Sequence, residues 1–182
     1  MSRTRNRTAP REPYADPPRT RRLRNAALAG TMVATAAVAG SIASQPDDDW
    51  YRSLDKPSWQ PPSVAFPIVW TTLYADIAAT SAGVLNELER RGDSEGAAEY
   101  RKALATNLAL NGAWSWLFFR WHNLPAATVG AGVLAVNSIR LARRAAQVDP
   151  RYGKFLAPYT VWTSFATLLA GVVWWRNRDQ DR

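Results

Sequence analysis

Two classes of reactive side chain are almost missing from this chain, and a third is abundant. Cysteine is absent and His122 is the only histidine in 182 residues. There is therefore no disulfide framework, no thiolate nucleophile and no soft-ligand metal site. His122 stands in the turn Trp121-His122-Asn123-Leu124-Pro125, without the partners that a zinc site or a catalytic triad requires. It reads as an interfacial, partly wet histidine. No phosphate-binding glycine loop, nucleophile elbow or pair of acids is found in the expected context, so no metal and no obligatory cofactor are expected. What remains is tryptophan, nine residues of it, whose chemistry is that of large stacking faces.

The densest cluster is Trp50-Tyr51-Arg52-Ser53-Leu54-Asp55-Lys56-Pro57-Ser58-Trp59-Gln60-Pro61-Pro62, which runs straight into an apolar segment containing Trp70. Aromatic rings give rigid contact area, and proline lowers the entropy lost on ordering a loop. The stretch reads as an ordered lid. The elements that must position it are five apolar blocks, Ala26–Ser44, Phe66–Leu85, Ala103–Trp121, Leu124–Ala142 and Phe155–Trp175. Blocks of about 20 residues at ~1.5 Å rise match a hydrocarbon core of ~30 Å. The expected fold is an all-α integral membrane bundle of five transmembrane helices over residues 26–176, with a disordered Arg-rich tail at 1–25 and a short polar tail at 177–182. Asn107 and Asn111 make the third block more polar than lipid tolerates, so both are expected to face other helices. Asp76, the one acid in the middle of a block, is expected to meet another helix or a polar cavity wall.

The net charge of +8 is unevenly spread. If alternate connections lie on alternate sides, one side carries 17 Lys and Arg and the other 6. The positive-inside rule then puts the N-terminus in the cytoplasm and the first loop and C-terminus outside. The arginine run lacks a folded scaffold, so it reads as a topogenic tail near anionic headgroups and not as a nucleic-acid site. A rival account takes Arg21-Arg22-Leu23-Arg24 and the Ala-rich block, ending near Ser41-Ile42-Ala43, as a secretory or twin-arginine signal. Trp116, Trp121, Trp174 and Trp175, near block ends, read as an interfacial belt.

Three multi-residue motifs then follow in order. They are Trp50-Tyr51-x-x-Leu54-x-Lys56-Pro57-Ser58-Trp59-x-Pro61-Pro62 with Phe66-Pro67-x-Val69-Trp70-x-x-Leu73-Tyr74; Asn107-Leu108-x-Leu110-Asn111-x-x-Trp114-Ser115-x-x-Phe118-Phe119; and Pro158-Tyr159-x-x-Trp162-x-x-Phe165-Ala166-x-x-Leu169. Together they resemble the TspO/MBR family of tryptophan-rich sensory proteins. The resemblance implies a five-helix bundle with a ligand pocket near one membrane face, a porphyrin or other tetrapyrrole as ligand, and a homodimer. Carried over, the pocket comprises Trp70, Asn111, Trp114, Tyr159, Trp162, Ala166 and Leu169, capped by Trp50 and Trp59. Some family members resemble light-dependent porphyrin-degrading proteins, in which case Trp70 and Trp162 would be catalytic. Two departures are visible: Leu169 is followed by Ala170-Gly171 where the family often has Leu-Asn, and no Tyr precedes Arg176 in the sterol-recognition pattern.

Helical geometry supports the assignment independently. Tyr159, Trp162, Ala166 and Leu169 fall on one stripe of a 3.6-residue helix, and Asn111 could satisfy a ligand polar atom at depth. Arg52 and Lys56 could pair with ligand propionates. On the far side of the third block, Ala105, Ala109 and Ala113 form a small-residue stripe suited to helix contact, within the bundle or between protomers. The expected function is a membrane receptor for a flat apolar ligand held between the second, third and fifth blocks under the first loop. Light-driven porphyrin breakdown and transport are the alternatives.

Overall fold

The computed structural model describes residues 18–44 and 48–178, and these are helical almost throughout. Helix α1 (Pro18–Ala43) leads into the one-turn α2 (Asp49–Ser53), then α3 (Ala65–Arg90) and α4 (Ser94–Ser115). A π-helical turn (Trp116–Arg120) precedes α5 (Leu124–Val148), α6 (Pro150–Phe155) and α7 (Ala157–Asn177).

The boundaries follow from capping. Asp48, Asp93, Asn123 and Asp149 each accept a backbone N–H at the start of a helix, satisfying donors that have no partner inside the helix. Gly92, at φ +75°, makes the turn between α3 and α4 that most other residues would strain to adopt. Helix α1 starts at Pro18, inside the arginine run and ahead of the apolar block at Ala26. Proline suits a first helical turn and arginine is a good helix former. The tail residues 1–17 lie outside the described residues, as do 45–47 and 179–182.

Among the described residues four stretches are long and apolar enough to cross a membrane: α1, α3, α5 and the α6–α7 run Pro150–Asn177. Helix α4 does not qualify, which corrects the equal treatment of five blocks. Its first three turns carry Glu95, Glu99, Arg101 and Lys102, and it packs against α1, α3 and α5. An inner helix need not be apolar on every face. Asn107 and Asn111 are both buried, as expected. Ala105, Ala109 and Ala113 lie exposed on one face of α4, so the stripe is not buried within this bundle.

Two cores hold the bundle. The larger gathers Ile77, Val84, Leu85, Leu104, Leu141, Leu156 and Tyr159. The smaller joins Leu54 of the first loop to Phe118, Leu124, Leu169 and Val173. Charge is segregated by end. Arg24 and Arg101 flank Glu89, Arg144 pairs with Glu99, and the Arg91 guanidinium donates to Val148 O. All of these lie at the end opposite the first loop. The loop itself meets the α4–α5 turn and the C-terminal end of α7. The first connection, the third and the C-terminus thus share one end, as alternation requires.

Candidate functional site

Beneath the first loop is a cavity of about 520 Å³. Helix α3 contributes Phe66, Trp70 and Tyr74; α4 and the π-helical turn contribute Asn111, Trp114, Ser115, Phe118 and Phe119; α7 contributes Trp162, Phe165, Ala166 and Leu169. The first helix adds small side chains, Ala37, Gly40, Ser41 and Ser44, and the loop adds Tyr51 and Gln60. None of the lining residues is charged.

The walls are aromatic and mutually braced. Trp70 and Trp162 stand perpendicular, 6.4 Å between centroids and 86° between planes. Phe66 and Phe165 pack on Trp162 at 5.8 and 5.4 Å. Across the cavity Trp114 stacks on Phe118 at 5.4 Å, and its indole N–H donates to Ala127 O at 3.0 Å, fixing the ring. The indole N–H of Trp162 is buried and has no partner among the described residues.

The cavity floor is a chain of hydrogen bonds. The Tyr74 hydroxyl donates to Asn111 Oδ1 (2.9 Å), Asn111 Nδ2 to the Tyr159 hydroxyl (3.2 Å), and that hydroxyl to Asn107 Oδ1 (2.8 Å). Asn107 Nδ2 then reaches Asn137 Oδ1 and Ser138 Oγ at 3.0 and 3.2 Å. Asn111 is therefore engaged through both ends of its amide. A ligand polar atom meeting Asn111, the role given to it from sequence, would compete with these bonds.

The lid is ordered by its own contacts. Lys56 Nζ donates to Tyr51 O at 2.6 Å and lies 4.7 Å over the Tyr51 ring. Gln60 Nε2 donates to the Tyr51 hydroxyl at 3.2 Å. Burial pushes the Tyr51 phenol up from its ordinary value, partly offset by the Gln60 bond. Burial draws the Lys56 ammonium down. Midway along the loop, Arg176 makes a two-point bond to the Asp55 carboxylate, both contacts at 2.9 Å.

Of the residues read from sequence, Trp70, Asn111, Trp114, Trp162, Ala166 and Leu169 line the cavity. Tyr159 does not: it is fully buried behind the floor, holding the two asparagines. Trp50 turns away to stack on His122 at 4.0 Å. Trp59, 46% exposed, touches the site only through Phe165 at 5.9 Å. Arg52 and Lys56 are not among the lining residues either. Asp76 also lies elsewhere; Oδ1 accepts from Thr80 on its own helix, and Oδ2 is buried with no partner among the described residues.

Tyr51, Gln60, Phe66, Tyr74, Phe118, Phe119, Phe165 and the small residues of α1 were not read as site residues. Tyr74, Phe118 and Phe165 stand one helical turn from Trp70, Trp114 and Trp162, a spacing that could have found them. Nothing in the Ala-rich α1 gave a comparable signal.

A sequence model of the TspO/MBR family matches residues 27–176. The chain is 37% identical over 130 residues to the translocator protein of Homo sapiens, covering 70% of this chain and 75% of that one. It is 34% identical over 124 residues to the uncharacterized membrane protein YtaB of Bacillus subtilis, covering 68% and 77%. A tryptophan-rich sensory protein of Cereibacter sphaeroides is 29% identical over 136 residues, covering 75% and 82%.

Proposed function

The chain belongs to the TspO/MBR family of membrane proteins, and on that premise we propose that it is a membrane receptor for a flat, mostly apolar ligand of the tetrapyrrole class. The observation that carries this reading is the uncharged cavity walled by Trp70, Trp114 and Trp162. Its volume lies within the range of small-molecule sites, and its rings offer stacking faces to a planar guest. Any propionates would stay at the mouth, where Arg52 and Lys56 of the loop are the nearest cations in sequence to the lining residue Tyr51. Titration of the solubilised protein with protoporphyrin in the dark should quench tryptophan fluorescence saturably. Absence of quenching, or quenching equal in Trp70→Ala and Trp162→Ala variants, would reject the site.

In this reading α4 is the fifth membrane helix, shielded from lipid on its polar faces by α1, α3 and α5. The basic end of the bundle faces the cytoplasm, and the exposed Ala105, Ala109 and Ala113 stripe is a contact between two protomers. Labels introduced at Asp48 and Ala146 should react from opposite sides, Asp48 from outside. A second reading, light-driven breakdown of the bound pigment, is favoured by the placement of Trp70 and Trp162 on one wall. Illumination of the complex decides it: faster loss of the Soret band than in a protein-free control is turnover.

A further inference from the structure

We infer that the first loop is a lid fastened at two points by unlike devices, and that the Asp48–His122 fastening is a proton-operated latch. The inference takes from the proposed function what the lid covers, but not how it moves.

His122 Nε2 lies 3.3 Å from Asp48 Oδ2, and the imidazole stacks on Trp50 at 4.0 Å and 13°. Both contacts strengthen when the ring is protonated: the carboxylate gains an opposite charge and the indole face gains a cation. Histidine is also the side chain whose charge changes between pH 5 and 8. The backbone is bent to present it. His122 has φ +50°, the only positive value outside glycine among the described residues. Such a conformation persists only where its surroundings over-determine it.

The other fastening, at Asp55, is indifferent to pH in this range. Asp55 is held by the Arg176 guanidinium and by the Asn177 amide, neither of which titrates near neutrality. Among the described residues the charged groups around the latch are few; the neighbouring acid Asp47 lies outside them. The start of α2 supplies Asp48 and Asp49, its last turn Arg52, and the π-helical turn Arg120. Helix α5 has no charged residue before Arg140, and α1 has none in its last five turns. Asp48 is the acid in contact.

Movement at the latch would reach the cavity. Trp50 packs edge-on against Phe118 at 5.7 Å, and Phe118 lines the cavity and stacks on Trp114. Acid therefore holds the lid shut, and rising pH loosens its Asp48 fastening while the Asp55 fastening stays closed.

The cysteine-free chain permits a test without ligand. Leu54 lies between the two fastenings and is 7% exposed. In detergent, the maleimide reaction rate of a Leu54→Cys reporter is normalised at each pH to that of the exposed control Ser94→Cys. The normalised rate should rise roughly two- to five-fold from pH 5.5 to 8, the scale of a part-exposed ion pair. The rise should vanish in His122→Asn, which suits a left-handed backbone, and in Asp48→Asn, which still caps α2. Arg176→Met should speed labelling at both pH values and leave their ratio unchanged. A flat profile in the Leu54→Cys parent, or a pH dependence that survives His122→Asn, overturns the latch. A second measurement keeps Leu54 in place: the release rate of N-phenyl-1-naphthylamine, uncharged over this range, should show the same pH ratio and lose it in His122→Asn. Failure of the dye to bind would count against the cavity reading, while the labelling result would still decide the latch.

Discussion

The backbone of Asp55 and the side-chain amide of Asn177 pair like two edge strands. The Asp55 N–H donates to Asn177 Oδ1 at 2.9 Å, and Asn177 Nδ2 donates back to the Asp55 carbonyl at 3.0 Å. Asn177 is buried at 1% exposure, and truncation removes the partner of both Asp55 backbone groups. Asn177→Ala should lower unfolding stability by about 1–3 kcal/mol. Arg176→Met removes only a part-exposed ion pair and should cost clearly less. Thermal unfolding of the two variants in detergent checks the order; a larger loss for Arg176→Met would show that charge, and not the buried amide, anchors the lid.

Tyr159 was read from sequence as a ligand contact, yet its hydroxyl is spent between Asn111 and Asn107. Tyr159→Phe should therefore act on stability, by about 1–2 kcal/mol for the two amides left unpaired at depth. Protoporphyrin affinity should change less than it does on changing a lining residue. A variant of unchanged stability and much weaker binding would return Tyr159 to the site.

The distribution of these hits and misses has physical causes. Hydropathy reports contact with lipid, so α1, α3, α5 and the α6–α7 run were legible, whereas α4 meets its neighbours through Asn107 and Asn111. The alternation of the connections was legible too: the first loop, the α4–α5 turn and the C-terminal end of α7 meet at one end. The lid was not, because its phase is set by a single turn. Adjacent helical residues point about 100° apart, and in α2 that rotation gives the cavity Tyr51 and sends Trp50 to His122. Tyr159 failed through depth: a stripe from Tyr159 to Leu169 runs ~15 Å along α7, and the cavity begins at Trp162.

At the α5–α6 junction Asp149 caps the short helix and binds Arg151 through both carboxylate oxygens. The side-chain bond to Arg151, then the backbone bond to its N–H, hold the carboxyl down at about 2, against about 3.9 in an unfolded chain. A depressed folded value adds stability above pH ~4 that is lost as pH falls toward 2. The loss of thermal midpoint between pH 5 and 2 should therefore be smaller in Asp149→Asn than in the wild type. Equal acid sensitivity in both would show that the pairing does not persist in solution.

The cavity also makes a statement about iron. Haem iron is normally held by His, Met, Cys or Tyr, and among the lining residues only Tyr51 and Tyr74 belong to that set. The Tyr74 hydroxyl is already donated to Asn111, and the Tyr51 hydroxyl accepts from Gln60 within a buried setting that keeps it un-ionised. His122 lies on the far side of Trp50, bound to Asp48. Binding should therefore be driven by stacking without a strong axial bond, and metal-free protoporphyrin should bind at least as well as haem. Trp162→Phe should weaken binding modestly, since a ring remains. Trp162→Ala should cost more, on the order of 1–3 kcal/mol if the stacking scale for single nucleobases transfers. A six-coordinate low-spin haem spectrum, or an affinity for haem tens of times that for the metal-free ring, would mean that an axial donor reaches the iron and that the aromatic walls are not what selects the ligand.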